Sequence, residues 1–246
     1  MKNFTKPSMI NIKSATYDAG LRSFMIKVFN YMALALTITG IVSYLTISTS
    51  AIMQLFFSVD PTTGAVVGIS GLGYLITFAP LAFVFAFSMG LGKMSVNTAQ
   101  IMFWVFSMLM GLSLSPVFLA YTGESIARVF FITASVFAAM SIYGYTTKTN
   151  LTSFGSFLFM GLIGVVIASL VNLFLQSPAI SFVTSVISVL VFTGLTAYDV
   201  QRITMIYETY PEGETKDKAA IMGSLSLYMD FINMFLALLR LFGNRK

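Results

Sequence analysis

Two apolar stretches, FTGLTAYDVQR (residues 192–202) and LSLYMDFINMF (residues 225–235), each contain one carboxylate, Asp199 and Asp230. Both stretches are apolar enough to lie in a membrane. An ionisable side chain inside a transmembrane helix is energetically costly, so it usually marks a functional site. The two acids are therefore the first candidates for the function of the chain.

The spacing of the two acids predicts that they face each other in a helical hairpin. Between them lies the most charged segment of the chain, residues 208–218, and the midpoint of the two positions falls inside it. If one helix ends at Tyr210 and the next begins near Ala219, each acid lies eleven residues from its helix end. At about 1.5 Å per residue, Asp199 and Asp230 then lie roughly 16 Å from the loop, at equal depth.

The composition is that of a polytopic membrane protein. Of the 246 residues, 57% are hydrophobic and only 9% are charged, and the mean hydropathy is +0.87. Soluble domains carry roughly a quarter charged residues. The absence of Cys and His excludes disulfides, thiolate or imidazole metal sites and His general bases. The net charge of +5 comes from basic residues scattered over short loops and ends, which indicates membrane orientation rather than nucleic-acid binding.

The chain reads as an all-α, polytopic membrane bundle with seven transmembrane helices. A polar, basic N-terminal segment (residues 1–22) precedes one transmembrane domain (residues 23–246). Each apolar span reaches the roughly 20 residues that a bilayer requires, and the short connections make consecutive helices antiparallel neighbours. The predicted spans are 23–47, 67–89, 97–121, 126–146, 154–176, 179–207 and 219–243.

The distribution of positive charge predicts a cytoplasmic N-terminus. Segment 1–22 is rich in Lys, whereas the first long loop, residues 48–71, has no Lys or Arg and is predicted to be external. Seven spans then place the C-terminus outside. The basic tail, Arg240, Arg245 and Lys246, argues against this placement, so an even number of spans stays open.

Asp230 lies on a polar stripe of its helix. Ser226 precedes it by one turn, Asn233 follows by three residues, and Gly223 and Ala237 continue the same face. This pattern is typical of a central helix that lines a polar interior. A purely structural hydrogen-bonded cluster is the alternative.

Two basic residues could partner the acid pair. Arg202 follows Asp199 by three residues and could form a local ion pair, and Lys93 ends the second span at a similar depth. Two carboxylates that face each other in a low dielectric share a proton, which would make a pH-responsive latch. Their oxygens also suit calcium, but two acids alone predict a weak, transient metal site at Asp199 and Asp230. Ion conduction or sensing therefore fits better than tight storage.

The residues do not predict an enzyme. Two acids on neighbouring helices resemble the intramembrane aspartyl proteases, and Tyr198-Asp199 fits the first half of that pattern. The second half requires Gly-x-Gly-Asp, whereas this chain has Leu-Tyr-Met-Asp at residues 227–230. The last span has no Lys for a retinal Schiff base, and no Walker, zincin or glycine-rich phosphate loop occurs. We accordingly expect no catalytic residues and no cofactor.

Several motifs together resemble the Bax inhibitor-1 family, in its bacterial YccA-like branch. The resemblance covers about residues 20–243. It is carried by GLTAYDVQ (194–201), SLYMDFIN (226–233) and LLRLFG (238–243), with support from YMAL (31–34), MSV (94–96), MGLSLS (110–115), YGYTTK (143–148) and GLIG (161–164).

The resemblance implies a seven-helix bundle whose last helix is surrounded by the other six, in a bacterial inner membrane. It implies a pH-sensitive calcium leak governed by a di-aspartyl pair, which maps onto Asp199 and Asp230. In some members an Arg at the inner end of the second helix acts as a latch on this pair. The matching region here is residues 89–93, where Lys93 is the basic residue.

The resemblance also implies an alternative function. Some bacterial relatives modulate a membrane-bound AAA protease and act in the stress response. Under this alternative the chain is an interaction protein, and we expect binding to depend on the exposed segment 1–22 rather than on the acids. The expected partners are otherwise the lipid bilayer, calcium ions and protons, with no nucleic acid.

Overall fold

The computed structural model describes the backbone of residues 9–60, 62–63 and 65–246, and the side chains of these residues from Ala19 onward except at 88 and 91. It is almost entirely helical, as predicted. Residues 1–8 of the predicted N-terminal segment lie outside the described residues. The elements are α1 (Met9–Ser48), α2 (Ser50–Phe56), β1 (Phe57–Val59), β2 (Val66–Ile69), α3 (Gly71–Gly90), α4 (Val96–Ala120), α5 (Gly123–Thr146), α6 (Thr152–Leu175), α7 (Pro178–Thr209) and α8 (Glu214–Phe242).

Six of the described helices are long and apolar enough to cross a membrane: α1 from Ala19, then α4, α5, α6, α7 and α8. The polytopic helical bundle predicted from composition is therefore confirmed. The remaining long helix, α3, is apolar over the shorter described stretch Gly71–Phe87. The count of seven spans remains a prediction.

The direction of α3 favours seven spans. Helices α1 and α4 run parallel, because Thr39 donates to the Ser107 carbonyl (2.9 Å) and, one turn later on both helices, Ser43 donates to the Gly111 carbonyl (2.7 Å). A chain that leaves α1 must cross back before it can enter a parallel α4. Among the described elements between them, α3 alone has the length to do so.

Contacts between α3 and α4 agree with a crossing by α3 in the direction opposite to α1 and α4. Ser113 donates to the carbonyl of Thr77 (3.2 Å), and the ring centroids of Phe83 and Phe106 are 5.7 Å apart. Higher residue numbers on α3 thus meet lower numbers on α4, which makes the two helices antiparallel.

The last helix, α8, lies at the centre of the bundle. It packs against α1, α4, α5 and α7. In α8, 61% of the apolar membrane-spanning stretch is buried inside the protein. In the other five candidate spans, the buried share is 6% to 44%. The prediction of a central last helix is therefore confirmed.

A hydrogen-bonded chain ties α8 to α1 and α4. The Tyr228 side chain is completely buried, and its hydroxyl lies 2.7 Å from the Thr39 hydroxyl. Because Thr39 donates its own proton to the Ser107 carbonyl, Tyr228 is the donor to Thr39. Buried polar groups of this kind need partners, and here the partners join three helices.

The charged loop between α7 and α8 is shorter than expected. Helix α8 begins at Glu214, five residues before the predicted Ala219, and α7 ends at Thr209. Glu214 and Asp217 lie in the first turn of α8, where negative charge complements the helix dipole. Asp217 also pairs with Lys27 of α1 at 2.5 Å. The acidic residues of this segment therefore stabilise the start of α8, and one of them links α8 to α1 through an ion pair.

The segment after α2 folds into a small hairpin of β1 and β2, which pair in antiparallel register. Its turn is closed by Asp60, whose carboxylate accepts hydrogen bonds from the Thr62 hydroxyl (2.6 Å) and the Thr62 backbone N–H (2.8 Å). These bonds hold the pKa of Asp60 below its usual value. The hairpin lies within the loop that the sequence predicts to be external.

Candidate functional site

The register of the α7–α8 hairpin places the two acids opposite each other. Arg202 of α7 donates to the Ser226 hydroxyl of α8 at 3.0 Å, and further along the hairpin Thr193 lies beside the Met234 sulfur at 3.9 Å. Asp199 lies between Thr193 and Arg202, so its counterpart on α8 falls at about residue 229, next to Asp230. The carboxylates face each other even though α8 begins earlier than expected, because side-chain contacts set the register.

Close helix packing on α7 positions Asp199. Gly144 of α5 lies directly against the backbone of Ala197, where a Cβ would meet the carbonyl carbon at 2.9 Å. Gly155 of α6 lies against the Tyr198 ring, where a Cβ would approach ring atoms to 2.5 Å. Small residues let helices approach closely in lipid. The two glycines bring α5 and α6 onto α7 just before Asp199.

Arg202 is the basic residue that contacts the acid pair. Its Nη2 lies 3.2 Å from the Asp199 carboxylate and also donates to Ser226. The Asp199 side chain is 11% exposed and that of Arg202 is 40% exposed, so the pair lies at the edge of the buried interior. The guanidinium also lies 5.8 Å from the centroid of the Tyr198 ring. Arg202 thus connects α7 to α8 beside the acids.

Lys93 lies away from this cluster. It ends a single 3-10 turn, Leu91–Lys93, and its side chain is exposed. Within the part of the chain whose side chains are described, Lys93 makes no ion pair. Of the two basic residues that the sequence put forward, the structure brings Arg202 to the acids and leaves Lys93 at the surface.

Asp230 is the acid without a full set of partners. Its side chain is buried, and its Oδ2 atom makes no hydrogen bond to any described residue. It interacts electrostatically with both Asp199 and Arg202. With both acids ionised, two negative charges face one positive charge. A buried, uncompensated charge is costly, so one proton or one cation would balance the cluster.

The acids open onto a cavity of about 1090 Å³ between α3, α6, α7 and α8. On α8 its lining extends from Met222 to Arg240, which is roughly 27 Å of helix and close to the thickness of the hydrocarbon core of a bilayer. Ser226 and Asn233 both line it, and the Asn233 amide donates to the Met229 carbonyl at 2.8 Å. The cavity is therefore a mainly apolar groove beside the central helix, with a stripe of polar side chains along α8.

Sequence reasoning missed Arg240 as a lining residue. Arg240 follows Ala237 by three residues, so it continues the stripe of Ser226, Asp230 and Asn233 at helical spacing. Extending the periodicity by one more turn would have identified it.

The site offers few oxygen ligands for a tightly bound metal ion. Within the described residues, no group of three or more His, Cys, Asp or Glu could hold a metal. Calcium takes 6–8 oxygen ligands when bound tightly, and Asp199 and Asp230 supply only their two carboxylates. The donor set fits brief contact with a passing cation better than storage.

The fold and site together define a class of protein. The chain is a polytopic helical membrane protein with ionisable groups buried beside its central helix and facing a cavity. It belongs to the Bax inhibitor family: the family model described as "Inhibitor of apoptosis-promoting Bax1" matches residues 21–246. This match confirms the resemblance found in the sequence motifs.

The alignments with bacterial relatives cover nearly the whole chain. An uncharacterized protein of Rickettsia prowazekii is 50% identical over 246 residues, which is 100% of both chains. An uncharacterized protein of Caulobacter vibrioides is 44% identical over 93% of this chain and 91% of its own length. The inner membrane protein YbhL of Escherichia coli is 43% identical over 93% of this chain and 94% of its own length.

Proposed function

We propose that this protein is a pH-sensitive leak channel for calcium and other cations, gated by Asp199 and Asp230. One observation carries the proposal: the buried Asp230 carboxylate has an Oδ2 atom without a hydrogen bond to any described residue, and it faces the long cavity beside α8. A group so costly to bury in a membrane is expected to serve ion or proton movement.

Charge balance supplies the gating mechanism. In the arrangement seen here, Arg202 holds Asp199 and Ser226 and places a positive charge in the cavity lining. A positive charge at this point opposes the entry of cations. Asp230, which is buried and has no ion-pair partner among the described residues, takes the first proton of the pair. A second proton, on Asp199, removes the charge that holds Arg202, which frees the guanidinium and loosens the contact between α7 and α8. The proton count of the pair thereby biases an equilibrium between closed and open arrangements.

The cavity lining suits a cation in transit. Once Arg202 leaves, an arriving cation can displace the proton of Asp230, whose carboxyl group lies near the middle of the lining. The Ser226 hydroxyl and the Asn233 side chain lie on the same helix face within one turn of it. Oxygen atoms of these types are ligands for hard cations such as calcium, and their small number favours release over retention.

Calcium flux into proteoliposomes tests the proposal. We expect flux in the unmodified protein to rise about tenfold between pH 8 and pH 6, a change that corresponds to about 1.4 kcal/mol. In the double variant Asp199→Asn/Asp230→Asn, neither side chain can titrate, so this pH dependence should disappear. Asp60→Asn is the matched control, because it makes the same change in a loop away from the cavity, and it should keep the pH dependence.

Equal flux and equal pH dependence in the unmodified protein and the double variant would overturn the proposal. Size-exclusion profiles of the detergent-purified proteins should first show that all variants are folded. Liposomes that contain no protein give the background flux.

We also propose that the protein lies in a bacterial inner membrane with its N-terminus in the cytoplasm. The Escherichia coli relative, inner membrane protein YbhL, supports the location by its name, and the Lys-rich first segment supports the orientation. With α3 as a seventh crossing, the C-terminus then lies on the outer side.

A C-terminal fusion to alkaline phosphatase tests this topology. We expect the fused phosphatase to be active, because that enzyme folds only after export, and a fused green fluorescent protein to be dark. The reverse pair of results would mean an even number of crossings or an inverted chain. Fusions after residue 148 should give the opposite pattern and serve as the internal control.

A further inference from the structure

A second cavity, of about 390 Å³, lies at the C-terminal end of α8, where α6 ends and α7 begins. Arg240 and Arg245 line it, and none of its described lining residues is a carboxylate. Neither Arg forms an ion pair with any residue of the described part of the chain. The remaining polar lining consists of neutral amide and hydroxyl side chains: Asn172, Gln176, Ser177, Ser181 and Ser185.

Neighbouring contacts hold Arg245 in place. Residue 245 forms an antiparallel bridge with Tyr121, and its guanidinium lies 5.8 Å from the centroid of the Tyr121 ring. The next residue, Lys246, donates through its backbone N–H to the Ala120 carbonyl at 3.0 Å and through Nζ to the Phe118 carbonyl at 2.8 Å. The end of the chain is thus attached to the end of α4, which keeps Arg245 at the cavity.

Arg240 comes to the same cavity from the last turn of α8. Two guanidinium groups from different elements therefore converge on one small polar space. Guanidinium groups bind phosphate through paired N–H donors. The side chains of Gln176 and Ser181 add further hydrogen-bonding groups to the lining. The uncompensated positive charge favours an anion, and the paired N–H donors that each guanidinium carries favour phosphate.

Apolar side chains beside the cavity indicate where such a phosphate would come from. Phe182 lines the cavity and is 62% exposed, and Phe174, near the end of α6, is 85% exposed. On a membrane-spanning bundle, exposed aromatic rings at this position contact lipid. We propose that the cavity binds the phosphate of an anionic phospholipid headgroup through Arg240 and Arg245, while the acyl chains lie along Phe174 and Phe182.

Tryptophan quenching by brominated lipid tests the site directly. The chain has one Trp, Trp104, whose ring packs with Phe103 and Tyr31. A reporter with Trp104→Phe and Phe182→Trp places the only indole at the cavity. In phosphatidylcholine vesicles that contain a tenth of either brominated lipid, we expect brominated phosphatidylglycerol to quench at least twice as strongly as brominated phosphatidylcholine.

The two arginines should account for this preference. Adding Arg240→Gln and Arg245→Gln to the reporter should make the two brominated lipids quench equally. Arg128→Gln is the matched control, because Arg128 is an exposed arginine at the same end of the bundle and does not line the cavity. It should leave the preference unchanged. Equal quenching in the reporter itself, or a preference that survives loss of both arginines, would overturn the proposal.

Two further arms complete the test. If the reporter shows no lipid preference but binds inorganic phosphate in isothermal titration calorimetry, the cavity takes free phosphate and the lipid assignment is wrong. The unmodified protein, extracted from vesicles with equal phosphatidylglycerol and phosphatidylcholine, should retain the former selectively in native mass spectrometry. This second measurement does not depend on whether the reporter variants fold. Neither readout involves ion flux, so the inference stands or falls separately from the leak proposal.

Discussion

Gly144→Ala should lower the melting temperature of the detergent-solubilised protein by about 6 °C. The added Cβ would lie 2.9 Å from the carbonyl carbon of Ala197 and closer still to its oxygen. Overpacking costs about 1–3 kcal/mol. We expect the upper end, because the obstructing atoms belong to the backbone of α7 and cannot rotate away. Alanine regains about 1 kcal/mol through its higher helix propensity. For a chain of this length, each remaining kcal/mol lowers the melting temperature by about 2–4 °C.

Gly164→Ala is the matched control. A Cβ at Gly164 on α6 would meet nothing within 4 Å. Both substitutions give the same gain in helix propensity, about 1 kcal/mol, so the difference between them isolates the contact of α5 with α7. We expect the control to melt at or slightly above the temperature of the unmodified protein. Equal melting temperatures for the two variants would contradict the close approach at Gly144.

Arg202→Gln should raise calcium flux at pH 8 by about tenfold, to the level that the unmodified protein reaches at pH 6. The substitution removes the ion pair with Asp199 and the cation in the cavity lining, and it weakens the link to Ser226. Breaking a buried ion pair costs about 3–5 kcal/mol. Because the Arg202 side chain is 40% exposed, solvent screens the pair, and we expect only about 1–2 kcal/mol.

Lys93→Gln distinguishes the two candidate latches. It removes a cation at the surface position where the family resemblance places the latch, and we expect it to leave flux at both pH values unchanged. Arg202→Lys should behave as an intermediate, since lysine keeps the charge but lacks the planar fork that reaches two partners at once. A large effect of Lys93→Gln together with no effect of Arg202→Gln would transfer the latch to Lys93.

Much of the fold follows from the order of apolar and polar residues. Apolar stretches of about 20 residues predict membrane helices, and six of the described helices have the expected length and apolarity. The start of α8 was predicted five residues late, at Ala219 instead of Glu214. Acidic residues that begin a helix look like loop residues in a hydropathy profile, and this ambiguity explains the error.

The candidate site was only partly predictable. Asp199 and Asp230 are visible in the sequence because charge is rare in apolar stretches, and their symmetry about the loop predicts that they face each other. The choice between Arg202 and Lys93 was not predictable from spacing, since both lie near the same depth. Lys93 lies in a short 3-10 turn after α3, where its side chain is exposed, and a turn of this kind leaves no periodic signal.

By itself, the sequence determined that this protein is a membrane helix bundle with two carboxylates in its last hairpin, because hydropathy and helical periodicity are local properties. Only the tertiary structure decided what surrounds those carboxylates. It joined Arg202 to Asp199 and left Asp230 Oδ2 without a hydrogen bond to any described residue. It also brought Arg240 and Arg245 to one cavity. These relations depend on how α3, α6, α7 and α8 pack, and packing joins residues that are far apart in the chain.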